Sequence, residues 1–454
     1  MKIYPTRFTS GKNKNLNRKL LAPSMQGIRN IQKSNLKDYK KTAGYGATAL
    51  SLFSGLCYLF KSKRPTEYMK ALAKSMSIAN GQNIKPNKLA SIMSGDELFS
   101  ILPQLKKENY VYNFENTNKG IFRADLHSHS NHSDGNGSVK KLLDDAANYA
   151  DKLFAKTNKK FIFALTDHDT MEGCKEALQI IAQNPKRYKN LQFVPGVEIS
   201  FAHSSPNSSN PCEMSEVLVF GVNPYSEKVS KFLNNIKEKR TNTMKIFISE
   251  AEKRCPLTKF SFEEFSKYYE YEKYGNLMNI HWRAYHYVQT KHAATIQASK
   301  NGQDPQAFFE EIMKGTSYPS IQKLRENGKL GDEVQDAPEI KDILSTISPH
   351  FENGKIVAKS ENTFEEIIDT FKDEKGIFMS FAHPYYFTEY TGEIANTLKY
   401  FTENSNGLIK ASESYHQAYT ARVDMAEVEK IKAETQKLNL LHTGGRDNHN
   451  ENLF

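Results

Sequence analysis

Seven short apolar runs, each abutting side chains that bind metal ions well, set the strongest limit on how this chain folds. They are Gly120 to Leu126, Lys160 to Leu165, Leu191 to Val194, Val217 to Phe220, Gly376 to Phe381, Gly407 to Ala411 and Leu440 to Thr443. Their length and apolar content read as buried strands. The first leads into His127, His129 and Asp134, the second into Thr166-Asp167-His168-Asp169-Thr170, and the third into Gly196-Val197-Glu198-Ile199-Ser200. The fourth follows Glu216; the remaining three deliver His383, then Glu413 and His416, then Gly444-Gly445-Arg446-Asp447-Asn448-His449. In a parallel α/β barrel such positions converge on one mouth, where the loops after the strands build a site.

The opening motif, Asp125-Leu126-His127-Ser128-His129-Ser130-Asn131-His132-Ser133-Asp134-Gly135, shows why the residue types matter. Alternate side chains of an extended segment share a face, so His127 and His129 can aim two imidazoles at one ion. Gly135 lets the loop turn and bring Asp134 back. A polar cluster on a loop also serves plain turn chemistry, and the motif by itself leaves that open. The recurrence along the chain favours ligation.

Taken in order, DLHSHSNHSDG, LTDHDT, GVEIS, FAHPYY and GGRDNH resemble the PHP domain (polymerase and histidinol phosphatase) family, over about residues 119 to 225 and 351 to 454. The resemblance implies a distorted seven-stranded β/α barrel and two or three divalent ions, Mn, Zn or Fe. It implies ligation by His127, His129, Asp134, His168, Glu198, His383, Asp447 and His449, with Glu198 bridging ions. It implies a metal-dependent phosphoesterase. Two positions depart from the family pattern. Glu216 stands where the family usually has a ligating His; it either ligates, favouring harder cations, or is a strand-entry residue that leaves one position weak. Arg446 stands in a Gly-Ser-Asp position, either as a solvated charge or as a fork of donors for a substrate phosphate. The chain also runs only five residues beyond His449, where the family usually continues into another helix.

Clustered His, Asp and Glu hold divalent cations that acidify a shared water and stabilise displacement at phosphorus, so phosphate-ester hydrolysis is the expected reaction. Asp167 and Asp169 flank His168 and either orient an imidazole or cap turns. His416 is a candidate to contact substrate or protonate the leaving oxygen. His132 reads as solvent-facing; His203, His292, His350 and His442 have no supporting spacing. The expected catalytic set is therefore Asp167, His416 and Arg446. Two other classes stay open: a metal-binding scaffold or sensor of little activity, and a hydrolase of non-phosphate bonds.

From about 226 to 350 the pattern turns to charged amphipathic helices, near Glu227 to Arg254, Ser261 to Tyr274, His281 to Ser299 and Asp304 to Gly315, reading as a helical insert. Within it, Asn279-Ile280-His281-Trp282-Arg283-Ala284-Tyr285-His286 either stacks a base and pairs a phosphate, through Arg283 and His286, or is a packed helix face. A small phosphorylated substrate or nucleotide is the expected partner, with nucleic acid a further candidate substrate.

Residues 1–41 are polar and basic and read as a disordered arm. Thr42 to Phe60 carries no charge and is followed by Lys-Ser-Lys-Arg, which fits a membrane anchor, an interfacial helix or a packing helix. Residues 61–118 read as a linker with a short helix around Glu67 to Ile78. Cys57, Cys174, Cys212 and Cys255 show no paired spacing, which suits the cytoplasm, with membrane association through 42–60 as the variant. The net charge of +10 suits an anionic surface or substrate, and its excess lies largely in the arm.

Overall fold

The computed structural model describes residues 65–107, 122–203, 213–275, 277, 280–314, 321–331, 350–352, 355–357, 361–385, 394–416 and 425–453. The arm and the apolar stretch of 42–60 lie outside them. Among the described residues, no helix is long and apolar enough to cross a membrane.

The described strands are β1 (Ala124–Asp125), β2 (Phe161–Leu165), β3 (Leu191–His203), β4 (Glu213–Phe220), β5 (His350–Glu352), β6 (Lys355–Val357), β7 (Phe378–Phe381), β8 (Ile409–His416) and β9 (Leu441–Gly445). The hairpin β5–β6 stands apart, and the other seven form one sheet in chain order. β1, β2 and β3 are mutually parallel, as are β7, β8 and β9, whereas β4 runs antiparallel to both β3 and β7. The all-parallel barrel expected from the sequence is corrected at this strand. Reversal puts the start of β4, not its end, at the mouth, which is how Glu216 arrives beside Ser200 of β3. The sheet nearly closes: past its edge strands, Leu126 N donates to Gly444 O (3.2 Å) and Asp447 N to His127 O (3.0 Å).

The helices are α1 (Glu67–Asn80), α2 (Gly95–Lys107), α3 (Val139–Thr157), α4 (Glu172–Gln183), α5 (Glu227–Arg254), α6 (Phe262–Tyr268), α7 (Tyr271–Tyr274), α8 (Ile280–Asn301), α9 (Pro305–Met313), α10 (Ile321–Glu326), α11 (Phe364–Phe371), α12 (Ile394–Asn404) and α13 (Met425–Lys437). Period-two alternation divides the strands between two cores. Phe161, Phe163 and Leu165 of β2 pack outward with α3 and α4, while Ile162 and Ala164 face the barrel interior. That interior is filled from one end by Leu98, Leu102 and Leu105 of α2. Gly95 N bonds Gly376 O (2.6 Å) just before β7, so α2 stoppers the end opposite the strand termini that lead into His127, His168 and His383. Residues 61–118 thus hold more than a linker with one short helix. α1 begins at Thr66, whose hydroxyl caps it, and α2 belongs to the barrel core.

α5 joins two cores. Its first half places Val229, Leu233 and Ile236 in the outer barrel core, and its second half places Met244, Phe247 and Ala251 in the insert's own core with Tyr287, Phe265 and Phe309. The change of allegiance falls at Arg240, so the barrel extends past 226. The expected helix over Ser261 to Tyr274 is broken in two, because Glu270 takes φ +48 between α6 and α7.

Candidate metal centre

Local backbone geometry builds the first motif. A Cβ on Gly135 would lie 2.4 Å from the carbonyl oxygen of His129, so only glycine lets the loop fold back there. The return brings Asp134 Oδ1 to 3.8 Å from His129 Nδ1 and Oδ2 to 3.8 Å from His168 Nε2. Across the seam, a Cβ on Gly445 would meet His127 Cβ at 2.3 Å, so the GGRDNH segment lies directly against the HSH segment. His129 N then donates to Asn448 O at 3.0 Å.

Glu198 occupies the centre, fully buried, with four imidazoles around one carboxylate: His127 Nε2 at 3.0 Å, His129 Nε2 at 3.2 Å, His168 Nδ1 at 3.3 Å and His383 Nε2 at 3.0 Å. Glu216 extends the group, 3.3 Å from both His168 and His383, and accepts from Ser200 Oγ at 3.1 Å. Asp447 lies 2.9 Å from His129 and 3.3 Å from His416, and His449 lies 3.1 Å from Asp134. The side chains of His449, Asp134 and Asp447 keep 36, 25 and 22% of their surface, so the cluster opens on that side.

Two observations fit this donor set to divalent cations. Both ring nitrogens of His129 are buried without a hydrogen-bond partner although carboxylate oxygens lie at 2.9 and 3.2 Å. Donor bonds of about 2.0–2.2 Å leave ligands of one ion about 3.0–3.5 Å apart, which is the spacing seen here without hydrogen-bond alignment. The residues also form overlapping sets, His129-Asp134-His168-His449, His127-His129-Glu198, His127-Glu413-His416 and His168-Glu198-Glu216, each with ligand atoms within 4.8 Å of one another. All donors are nitrogen or oxygen, a preference shared by Mn, Fe and Zn.

Carboxylates and imidazoles shift one another strongly in this cluster. Burial pushes Glu198 up, but His127 and His168 hold it well below the usual carboxylate range. Burial pushes His127 and His168 down, and Glu198 reverses this in both, keeping them well above an ordinary histidine. Burial also opposes the charge on His449, which Asp447 and Asp134 nonetheless raise to about 9.

All nine side chains expected as ligands meet in this cluster, Glu216 among them. The other expected residues are placed differently. Asp167 turns to the loop, accepting from Ser130 N (2.6 Å), Ser130 Oγ (2.8 Å) and Ser133 Oγ (2.9 Å), so it braces the HSHSNHSDG turn. Arg446 bends back to Asp125, with Nε 2.8 Å from Oδ2, and lies over the Phe122 ring, which engages it in the barrel wall. His416 is 2% exposed and beside the rings of His127 and His383, inside the cluster and not on a substrate-facing surface. Arg283 and His286 sit half-buried on α8, whose main packing partners are α5, α9 and α10. His132 pairs with Glu176 at 2.7 Å, outside the cluster.

Two further participants are Glu413, noted in the sequence only as a metal-type side chain after the sixth run, and Arg240, which no motif singled out. Glu413 is fully buried against His127. Arg240, also fully buried, bonds Asp169 (2.9 Å) and Glu361 (2.6 Å) behind the His168 turn. Backbone strain concentrates here as well: Asp169, His383 and Asp447 take φ of +49, +27 and +51.

No family model matches the chain, and no curated protein matches it. Among solved structures it is similar to an amidohydrolase from Chromobacterium violaceum, solved with sulfate and no metal, at 19% identity, covering 72% of this chain and 88% of that one with a TM-score of 0.39. It is similar also to a candidate metal-dependent phosphoesterase from Bifidobacterium adolescentis, at 16% identity, covering 72% and 87% with a TM-score of 0.37.

Proposed function

We propose that the chain is a metal-dependent hydrolase of phosphate esters, acting on a nucleotide or short oligonucleotide. The observation that carries this reading is Glu198, one buried carboxylate shared by four imidazoles and flanked by Glu216 and Asp447, at a mouth open on one side. His127, His129, Glu198 and Asp447 would hold one ion, His168, His383, Glu198 and Glu216 a second, and Asp134 with His449 a third. Ions bound there would supply an acidified water and a sink for charge on phosphoryl oxygens. The chain's own residues set the direction of approach, because Asp134, Asp447 and His449 are the exposed members. His416 lies behind them and steadies Asp447 from within. The nucleotide part of the proposal rests on Arg283, Tyr285 and His286 of α8, which offer cationic and stacking chemistry.

A second reading, hydrolysis of a non-phosphate bond, is favoured by one observation: Arg446, the cation nearest the ligands in sequence, is engaged by Asp125. The deciding experiment assays the full chain with Mn2+, Zn2+, Fe2+ and Mg2+ against an aryl phosphate, nucleotides including 3′,5′-bisphosphates, short oligonucleotides, and aryl amides and carboxyl esters. His129→Ala and Asp447→Ala run in parallel. Metal-dependent phosphate release lost in both variants supports the proposal. Turnover of amides or carboxyl esters alone supports the second reading, and no metal-dependent turnover of any kind defeats both.

A further inference from the structure

His127 is engaged on both ring nitrogens. Nε2 faces Glu198 at 3.0 Å, and Nδ1 faces both oxygens of Glu413, at 3.2 and 3.1 Å. A neutral imidazole has one lone pair and one N–H, so a ring that gives its Nε2 lone pair to a cation must carry its proton on Nδ1. Glu413 is then the acceptor for that proton. Its Oε2 has a second duty, accepting from the backbone N of His383 at 2.9 Å. His383 sits at φ +27, a conformation L residues seldom adopt, so this bond holds a strained turn in place. The pairing of β8 with β9 slips between Glu413 and Tyr415, an irregularity of the kind that re-aims side chains.

We propose that Glu413 is a positioning residue: it fixes the tautomer and ring plane of His127 and anchors the His383 turn, setting two ligands on different strands with one carboxylate. The inference rests on the metal-centre reading above. Glu413 could instead ligate an ion itself, with His127 and His416, since their donor atoms lie close together. The geometry favours positioning, because both oxygens already face the Nδ1 edge of His127 and one also faces an N–H. Carboxylates that orient a ligating histidine in this way are worth about 10–100-fold in metal affinity.

The test titrates the full-length chain with Zn2+ against a competing chelator, and reads the His127 tautomer by long-range proton–nitrogen NMR of the zinc-loaded protein. Wild type, Glu413→Ala and Glu413→Gln are compared; the amide oxygen of Gln can still accept from Nδ1. Positioning predicts the same number of ions in all three proteins, affinity about 10–100-fold weaker in Glu413→Ala, and partial recovery in Glu413→Gln. It also predicts protonated Nδ1 in wild type and Glu413→Gln, with a mixed tautomer in Glu413→Ala. One ion fewer in either variant overturns it in favour of ligation. Unchanged affinity and tautomer in Glu413→Ala overturn it altogether, and should that variant not fold, the ion count of Glu413→Gln still decides. A wild type that binds no zinc defeats the metal-centre reading itself, an outcome visible without any variant.

Discussion

His449 and His442 are neighbours in sequence and opposites in electrostatics, and each supplies a pH prediction. His449 is raised to about 9 by Asp447 and Asp134, so below that pH it carries a proton that a cation must displace. Ion affinity should therefore climb with pH up to about 9 and fall below it, with protons released on binding; titration calorimetry in buffers of different ionisation enthalpy checks this. His442 runs the other way. Burial, with Lys106 and Lys432 nearby, lowers it from the ordinary 6.5 to about 4. The unfolded imidazole takes its proton near pH 6.5 and the folded one only near 4, so the stability it confers is complete above 6.5 and is lost as pH falls through that window. His442→Gln, which keeps a donor and acceptor near Ser414 Oγ, should lose less stability than wild type between pH 6.5 and 4 in urea unfolding. The nine side chains that meet around Glu198 were legible as candidates because each lies beside an apolar run, within motifs that resemble those of one family. Glu413 stood out only as a metal-type side chain after the sixth run, and its pairing with His127, 286 residues away, was not legible. Nor was the fate of Arg446, which is set by Asp125 at the other end of the barrel sequence.

At the scale of elements, α5 couples the insert to the ligand turn through Arg240. This guanidinium is fully buried between Asp169, one residue from His168, and Glu361 just ahead of α11. Burial opposes its charge, and Glu361 and Asp169 raise it further instead. Removing one partner from such a group leaves uncompensated buried charge, so Arg240→Met should cost about 3–5 kcal/mol in denaturant unfolding. An Arg in an amphipathic charged helix reads from sequence as a solvated side chain, because the carboxylates that bury it lie 71 and 121 residues away. α2 was obscured for a related reason: Pro103 and flanking charges resemble a linker, and only the barrel interior shows what its leucines fill. Leu102 is 1% exposed there, so Leu102→Ala should cost about 2–5 kcal/mol by the same kind of measurement. The helices of the insert were plainer, since their 3.6-residue apolar period is local; α5 spans Glu227–Arg254, the stretch the pattern marks.

For the molecule as a whole, the sheet brings candidate ligands on or beside β1, β2, β3, β4, β7, β8 and β9 to a single mouth, with α2 stoppering the other end. Five of the seven strands do this at or just past their ends, β3 does it from mid-strand at Glu198, and the reversed β4 does it through Glu216. Local apolar pattern revealed that the strands exist, but not the direction of β4, because strand polarity follows from crossover connections that a single run does not encode. The central claim is that the Glu198 cluster holds divalent cations. Anomalous diffraction from crystals of the full chain soaked in Mn2+ tests it most directly. The account predicts at least two anomalous peaks within ligand distance of Glu198, one bounded by His127, His129 and Asp447 and one by His168, His383 and Glu216, with the first weakened or lost in Asp447→Ala. A featureless map at Glu198, with manganese absent or bound elsewhere on the molecule, would contradict it.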